Sequence, residues 1–240
     1  MTAAEFGRQA ASNALELIFP GRCLVCGRAL YDNAEPFYPV CRSCLAVLVP
    51  IRAPRCRQCG RTLISESDVC TVCRKRDYHF QSHRSLFEYQ GAVKEILFQY
   101  KFRGRSRLAR VIADCLGQEL NKTYPGLPIV PVPSRAGRSS AMGLEHLELI
   151  CRHLHRRHKL RICRCLRRMG SVPQKTLDFD SRLKNVMGNI RIIGSRGLGL
   201  DVPEIVLLDD VFTTGATVDE CARVLLADAR KVHVLTFAQD

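Results

Sequence analysis

Two sets of side chains in this sequence are spaced for chemistry. In the first, Ile205-Val206-Leu207-Leu208-Asp209-Asp210-Val211-Phe212-Thr213-Thr214-Gly215-Ala216-Thr217, a run of apolar β-formers leads into two adjacent carboxylates and a hydroxyl-rich turn. Backbone N–H groups at a helix start, with a glycine that permits close approach, make a cradle for phosphate. The carboxylates repel that phosphate and suit hydroxyl groups or a metal-bound polyol instead. A ligand with a phosphate at one end and a vicinal diol close by satisfies both, and a ribose 5-phosphate has that shape. The second set is cysteine, in four C-x-x-C pairs: Cys23/Cys26, Cys41/Cys44, Cys56/Cys59 and Cys70/Cys73. Two thiolates separated by two residues on a tight turn face one ion, and two such turns complete a tetrahedral site.

Each set implies the elements that must hold it. Four apolar β-formers in a row suit a strand covered on both faces, as in a parallel α/β sheet. Val218, Ala222 and Leu225 recur at helical spacing beyond the turn, and Thr213, Thr214 and Thr217 are expected to cap that helix. Gly27 and Gly60 each follow the second cysteine of a pair, where a ribbon knuckle needs an unusual backbone angle. Pairing in sequence order gives one site from Cys23, Cys26, Cys41 and Cys44 and another from Cys56, Cys59, Cys70 and Cys73. A crossed pairing, first with third and second with fourth, stays open. The intervening segments hold few large apolar residues, so zinc, worth on the order of 10–16 kcal/mol of coupled folding energy, decides whether they fold. Four thiolates leave no open coordination position, which makes the role structural.

The rest of the chain reads as an α/β domain. A modest amphipathic helix over 5–19 ends at Pro20 and Gly21 and suits docking rather than membrane anchoring, since its polar face is nearly uncharged. Ser85 to Tyr89 predicts a strand, Gly91 starts a helix with Val93, Ile96, Leu97 and Tyr100 inward, and a second helix covers 106–120. The basic loop Lys101-Phe102-Arg103-Gly104-Arg105 between them is a candidate to face pyrophosphate. Ile129 to Pro133 predicts a strand, Leu144, Leu147, Cys151 and Leu154 one helix face, and Leu160 to Cys163 a further strand, together a β-α-β unit. The basic stretch from Arg156 to Arg168 reads equally as a solvated helix end or as a phosphate-tracking patch for single-stranded nucleic acid. Residues 170–188 read as a loop over the site, and Val232 to Phe237 as the last strand.

Composition sets the context. With 37 basic and 23 acidic side chains the 240-residue chain carries +14, a balance that favours polyanions. No apolar run approaches the roughly 18 residues that span a bilayer. The early acid and the lack of a continuous apolar stretch argue against a secretory signal. Thirteen cysteines, an odd number with eight in C-x-x-C pairs, fit metal binding in a reducing cytoplasm better than a disulfide framework.

The stretch from Asp209 to Thr217 resembles the 5-phosphoribosyl-1-pyrophosphate (PRPP) signature of type I phosphoribosyltransferases. By that resemblance Asp209 and Asp210 hold the ribose hydroxyls, Thr213, Thr214, Gly215, Ala216 and Thr217 form the loop that holds the 5′-phosphate, and Val211 and Phe212 belong to the same PRPP-binding stretch. Nearly the whole chain is similar to the ComF family: "FPGRCLVC", the later cysteine pairs, "PVPSR", and Gln174-Lys175-x-Leu177 with Arg182 and Asn185 carry the likeness alongside the signature. The resemblance implies an amino-terminal helix over 1–20, a double zinc-ribbon module over 21–77 and a phosphoribosyltransferase-like parallel sheet flanked by helices over 78–240. It implies PRPP or another ribose phosphate with magnesium as ligand, Lys101 and Arg135 toward pyrophosphate, and a link to DNA uptake in natural transformation through competence proteins or single-stranded DNA. The alternative is an adaptor for nucleic acid that keeps the site for binding alone. One departure bears on turnover: where the family has an R-G-F-N-Q box, this chain has Met142-Gly143-Leu144-Glu145-His146, and Arg135 and Arg138 are the nearby replacements for its charge.

Overall fold

The computed structural model describes residues 21–30, 38–52, 54–64, 68–134, 146–169, 188–193 and 202–240. The helix expected over 5–19, Arg135, Arg138, Met142 to Glu145, and residues 170–187 with Arg182 and Asn185 lie outside the described residues. In chain order the elements are α1 (Arg42–Ala46), β1 (Ser82–Glu88), α2 (Gly91–Phe102), α3 (Leu108–Thr123), β2 (Ile129–Pro131), α4 (His146–His158), β3 (Leu166–Arg168), β4 (Ile190–Ile192), β5 (Val202–Phe212), α5 (Ala216–Leu225) and β6 (Ala229–Gln239).

Four strands pair in the order β1-β6-β5-β2, every pair parallel. The apolar run that predicts β5 is covered on both sides, and its side chains alternate between two clusters. Val206 and Leu208 pack with α2, α3 and α4, whereas Ile205 and Leu207 pack with α5 and the second cysteine set. β6 repeats the division, with Leu235 and Phe237 on the first side and Val232 and Val234 on the second. Helical spacing holds in α2, which buries Val93, Ile96, Leu97 and Tyr100, and in α3, which buries Leu108, Val111, Ile112, Leu116 and Leu120 along one face. This is the α/β arrangement the sequence implies: a parallel sheet between helices, preceded by a cysteine-rich module. Among the described residues no helix is long and apolar enough to cross a membrane.

The strand expected at Leu160 to Cys163 is reduced to one parallel bridge, Ile129 with Ile162. The Ile129 N–H donates to Arg161 O at 2.9 Å and the Cys163 N–H donates to Ile129 O at 2.8 Å. Pro131 and Pro133 then remove the donors a longer ladder on this edge would use. The chain pairs instead through β3, antiparallel to β4.

Candidate functional site

The acidic pair sits at the carboxyl end of β5, with Thr213 to Gly215 turning into α5. The Asp209 carboxylate accepts the Asp210 backbone N–H at 2.8 Å. Burial and the neighbouring Asp210 carboxylate push the Asp209 carboxyl up to about 7. Asp210 Oδ2 receives Lys101 Nζ at 2.7 Å, a largely covered ion pair that ties the end of α2 to the strand. The structure thus brings Lys101 to the acid pair. Arg135, its expected companion, lies outside the described residues.

The threonines do not cap α5 as expected. The cap is Gly215, left-handed at φ +76°, and no side chain bonds into the first turn from it. The Thr214 hydroxyl reaches only Ala216 N, at 3.4 Å. Glycine has no side chain to offer, which leaves the N–H groups of Thr217 and Val218 to an outside acceptor. Packing also demands glycine here, since a Cβ would lie 2.7 Å from the Phe212 ring and 3.3 Å from that of Tyr78.

The floor of this turn belongs to the second cysteine set. The Phe212 ring stacks on His83 at 3.9 Å between centroids and meets Phe80 edge-on at 6.3 Å. His83 Nδ1 lies 2.6 Å from Cys59 O, which can only accept, so Nδ1 carries the proton. His83 Nε2 therefore accepts from the Thr236 hydroxyl at 2.9 Å, and Thr236 accepts from Ser85 at 2.9 Å. Burial holds the His83 imidazole down at about 4 and keeps this relay neutral. Two contacts reach the turn and helix directly. Arg76 donates to Thr214 O at 3.3 Å while lying over the Tyr78 ring at 4.5 Å, and the His79 N–H donates to Asp219 Oδ1 at 2.7 Å. A cavity of about 240 Å³ opens at this seam, lined by Arg61, Arg76, Tyr78, Phe212, Thr213 and Thr214 among others. Sequence reasoning passed over Arg61 and Arg76, because nothing distinguishes them from the other arginines flanking the pairs.

The cysteines assemble in sequence order, which resolves the pairing: Cys23, Cys26, Cys41 and Cys44 form one set and Cys56, Cys59, Cys70 and Cys73 the other, all sulfurs of a set within 4.8 Å of one another. Four sulfurs about 2.3 Å from a tetrahedral ion stand roughly 3.8 Å apart. Cys26 and Cys41 are 3.8 Å apart and Cys59 and Cys70 are 3.7 Å apart, so both sets fit zinc. Gly27 at φ +74° and Gly60 at φ +72° take the knuckle angle their position implies. Each set has one thiol that ionises readily. Arg28 holds Cys26 down at about 6; burial raises Cys56, but the N–H groups of Cys70 and Cys59 outweigh it and bring it to about 7. None of the thirteen cysteines is in a disulfide.

The remaining basic stretches divide. In the 156–168 stretch, Arg157 and His158 engage Asp114, and Arg164 grips Glu148 at 2.8 and 2.9 Å. At the end of α2, by contrast, Phe98 and Phe102 are 39% and 68% exposed, with the Arg103 guanidinium 5.6 Å from the Phe98 ring centre. The altered box is visible only at His146, whose imidazole is held below its usual range by burial and by Lys101.

Comparison with known proteins adds to this geometry. The family model described as double zinc ribbon domain matches residues 14–74. The DNA utilization protein YhgH of Salmonella typhi is 30% identical over 221 residues, covering 88% of this chain and 92% of that protein. The competence protein ComFC of Bacillus subtilis is 28% identical, covering 90% and 92%, and that of Streptococcus pneumoniae 26%, covering 90% and 98%. A solved hypoxanthine phosphoribosyltransferase from Staphylococcus aureus covers 55% of this chain and 63% of its own at 19% identity, with a TM-score of 0.34, too loose a likeness to bear on function.

Proposed function

This chain belongs to the ComF family, and from that premise we propose that it binds PRPP with magnesium at the carboxyl end of β5 and serves DNA uptake in the cytoplasm. One observation carries the reading: a half-buried acidic pair stands directly before a glycine-capped helix start, with the Lys101 ammonium 2.7 Å from Asp210. Asp209 and Asp210 would accept hydrogen bonds from the ribose 2′- and 3′-hydroxyls, and the turn from Thr213 to Thr217 would hold the 5′-phosphate. Lys101 would exchange Asp210 for pyrophosphate as ligand enters. Magnesium arriving with PRPP would neutralise pyrophosphate charge. In the enzyme reading, an acceptor's lone pair forms the new bond to the anomeric carbon as the bond to pyrophosphate breaks, and the acidic pair stabilises the positive charge that grows on the ribose.

The binding-only reading draws on a different observation. The exposed Phe98 and Phe102 beside Arg103, on a chain of net charge +14, suit base stacking and phosphate tracking along single-stranded DNA. Both readings keep the sugar-phosphate site and differ on turnover.

Calorimetric titration of magnesium and PRPP into wild type and an Asp209→Asn/Asp210→Asn double variant tests the site. Charge-assisted hydrogen bonds are worth roughly 1.5–3 kcal/mol each, so affinity should fall at least about tenfold. Absence of binding to the wild type would overturn the proposal.

A further inference from the structure

We propose that the second ribbon and the turn before α5 together build an anion subsite whose cations are Arg76 and Arg61 and whose ligand is a phosphate ester. The inference rests on the reading of Thr213 to Thr217 as a phosphate turn and adds to it a wall that the turn sequence does not contain.

Three features of the seam point to a ligand. Arg76 is held in place from two sides, its face on Tyr78 at 4.5 Å and one N–H on Thr214 O at 3.3 Å. A guanidinium carries five N–H donors, and that is the one hydrogen bond the Arg76 guanidinium makes among the described residues. Arg61 stands exposed across the same cavity, and the Thr213 and Thr214 hydroxyls line it from the turn. Gln239 also lines it, at 5% exposure, with its Oε1 lacking a partner among the described residues. A buried amide without a bond is costly, and its oxygen and nitrogen exchange by a half-turn, so it meets a ligand with either end. Asp240 also lines the cavity and sets its side-chain carboxylate against the two guanidiniums.

The subsite depends on the second cysteine set and not the first. Arg61 follows Cys59 by two residues and Arg76 follows Cys73 by three, so both arginines are placed by that knuckle pair. The cavity volume, about 240 Å³, admits a phosphate group with part of a sugar. Either a free sugar phosphate or the backbone of a nucleic-acid strand supplies that chemistry.

The probes are ribose 5-phosphate and two oligothymidines, one bearing a 5′-phosphate and one a 5′-hydroxyl, titrated into zinc-loaded wild type and into Arg76→Gln, Arg61→Gln and the double variant. Arg57→Gln, on the same ribbon but outside the seam, is the control. The double variant should bind the recognised probe at least about tenfold more weakly, with the control unchanged. A loss confined to ribose 5-phosphate and the 5′-phosphorylated strand identifies a monoester site; an equal loss for both strands identifies backbone phosphate. Should Arg76→Gln lose zinc, Arg61→Gln, at an exposed side chain, still has to weaken binding about threefold. Wild-type affinity in the arginine variants, or no binding of any probe, overturns the subsite. Asp209→Asn/Asp210→Asn separates the two proposals: PRPP binding that needs the aspartates but not the arginines sinks the subsite alone. PRPP binding that needs the arginines but not the aspartates sinks the acid-pair reading alone.

Discussion

The two cysteine sets have the same ligands, the same knuckle glycines and different employment. The first packs Cys23, Val40 and Cys44 into the cluster of α2, α3 and α4 and leaves Cys26 exposed. The second buries all four cysteines in the cluster that contains Phe212 and Val218 and hands its Cys59 carbonyl to His83. One ribbon clamps the helical layer; the other is the floor of the turn. A repeated motif therefore acquires its role from what it packs against, and the roles separate under mutation.

The largest separation should come from the metal ligands. Cys70→Ser should release one of two zincs and lower PRPP affinity by more than tenfold, because structural zinc contributes on the order of 10 kcal/mol to the order of its segment. Cys41→Ser should release one zinc and leave the remaining protein binding PRPP. Metal analysis with titration reads both, and equal loss of binding would erase the distinction.

The knuckle glycines sharpen it at smaller scale. A Cβ on Gly27 meets nothing within 4 Å, whereas on Gly60 it lies 2.8 Å from the His83 carbonyl oxygen. Gly27→Ala should cost about 1 kcal/mol from its left-handed angle alone, and Gly60→Ala about 3 kcal/mol, since backbone must move as well. Thermal melts of the two variants check the order.

At the turn, binding and stability should oppose each other, while at the clamp they have no reason to. The Asp209 carboxyl is pushed up to about 7, above its ordinary 3.8, so the fold favours its protonated form. The stability this gives is full below pH 4 and is lost as pH rises through 7. Asp209→Asn should therefore melt higher than wild type at pH 8, by about 2 kcal/mol, with the gap closing toward pH 5, while PRPP binding weakens. A gap that does not change with pH would refute the shift. The smallest effect belongs to Arg57→Ala, which removes a 3.5 Å pair with Asp68 between side chains 73% and 62% exposed; melts should move by less than about 0.5 kcal/mol.

Local pattern carried much of this. Four C-x-x-C pairs predicted two four-sulfur sites and left open which pairs combine, which the structure decides in sequence order, and the β5 run with its acids and glycine predicted a strand, a turn and a helix in the right place. What escaped was long-range. Arg76 and Thr214 are 138 positions apart, and no periodicity links them. The cap was misassigned because threonine is a common cap, while the rings of Phe212 and Tyr78, invisible to a local reading, select glycine. The β3–β4 pair was obscured by a basic run, in which Arg157 turns to Asp114 and Arg164 to Glu148.

The sheet order has a consequence for synthesis. β1 pairs with β6 from Ser82 and His233 onward, partners separated by most of the chain. At about 5–20 residues per second, the ribosome needs roughly 8–30 s to travel between them. During that interval both ribbons have emerged and can take up metal, while β1 waits with an unpaired edge open to other strands. A cell short of zinc would meet that interval with unfolded ribbons and a bare strand together, so metal supply should govern how much of the newly made chain escapes aggregation.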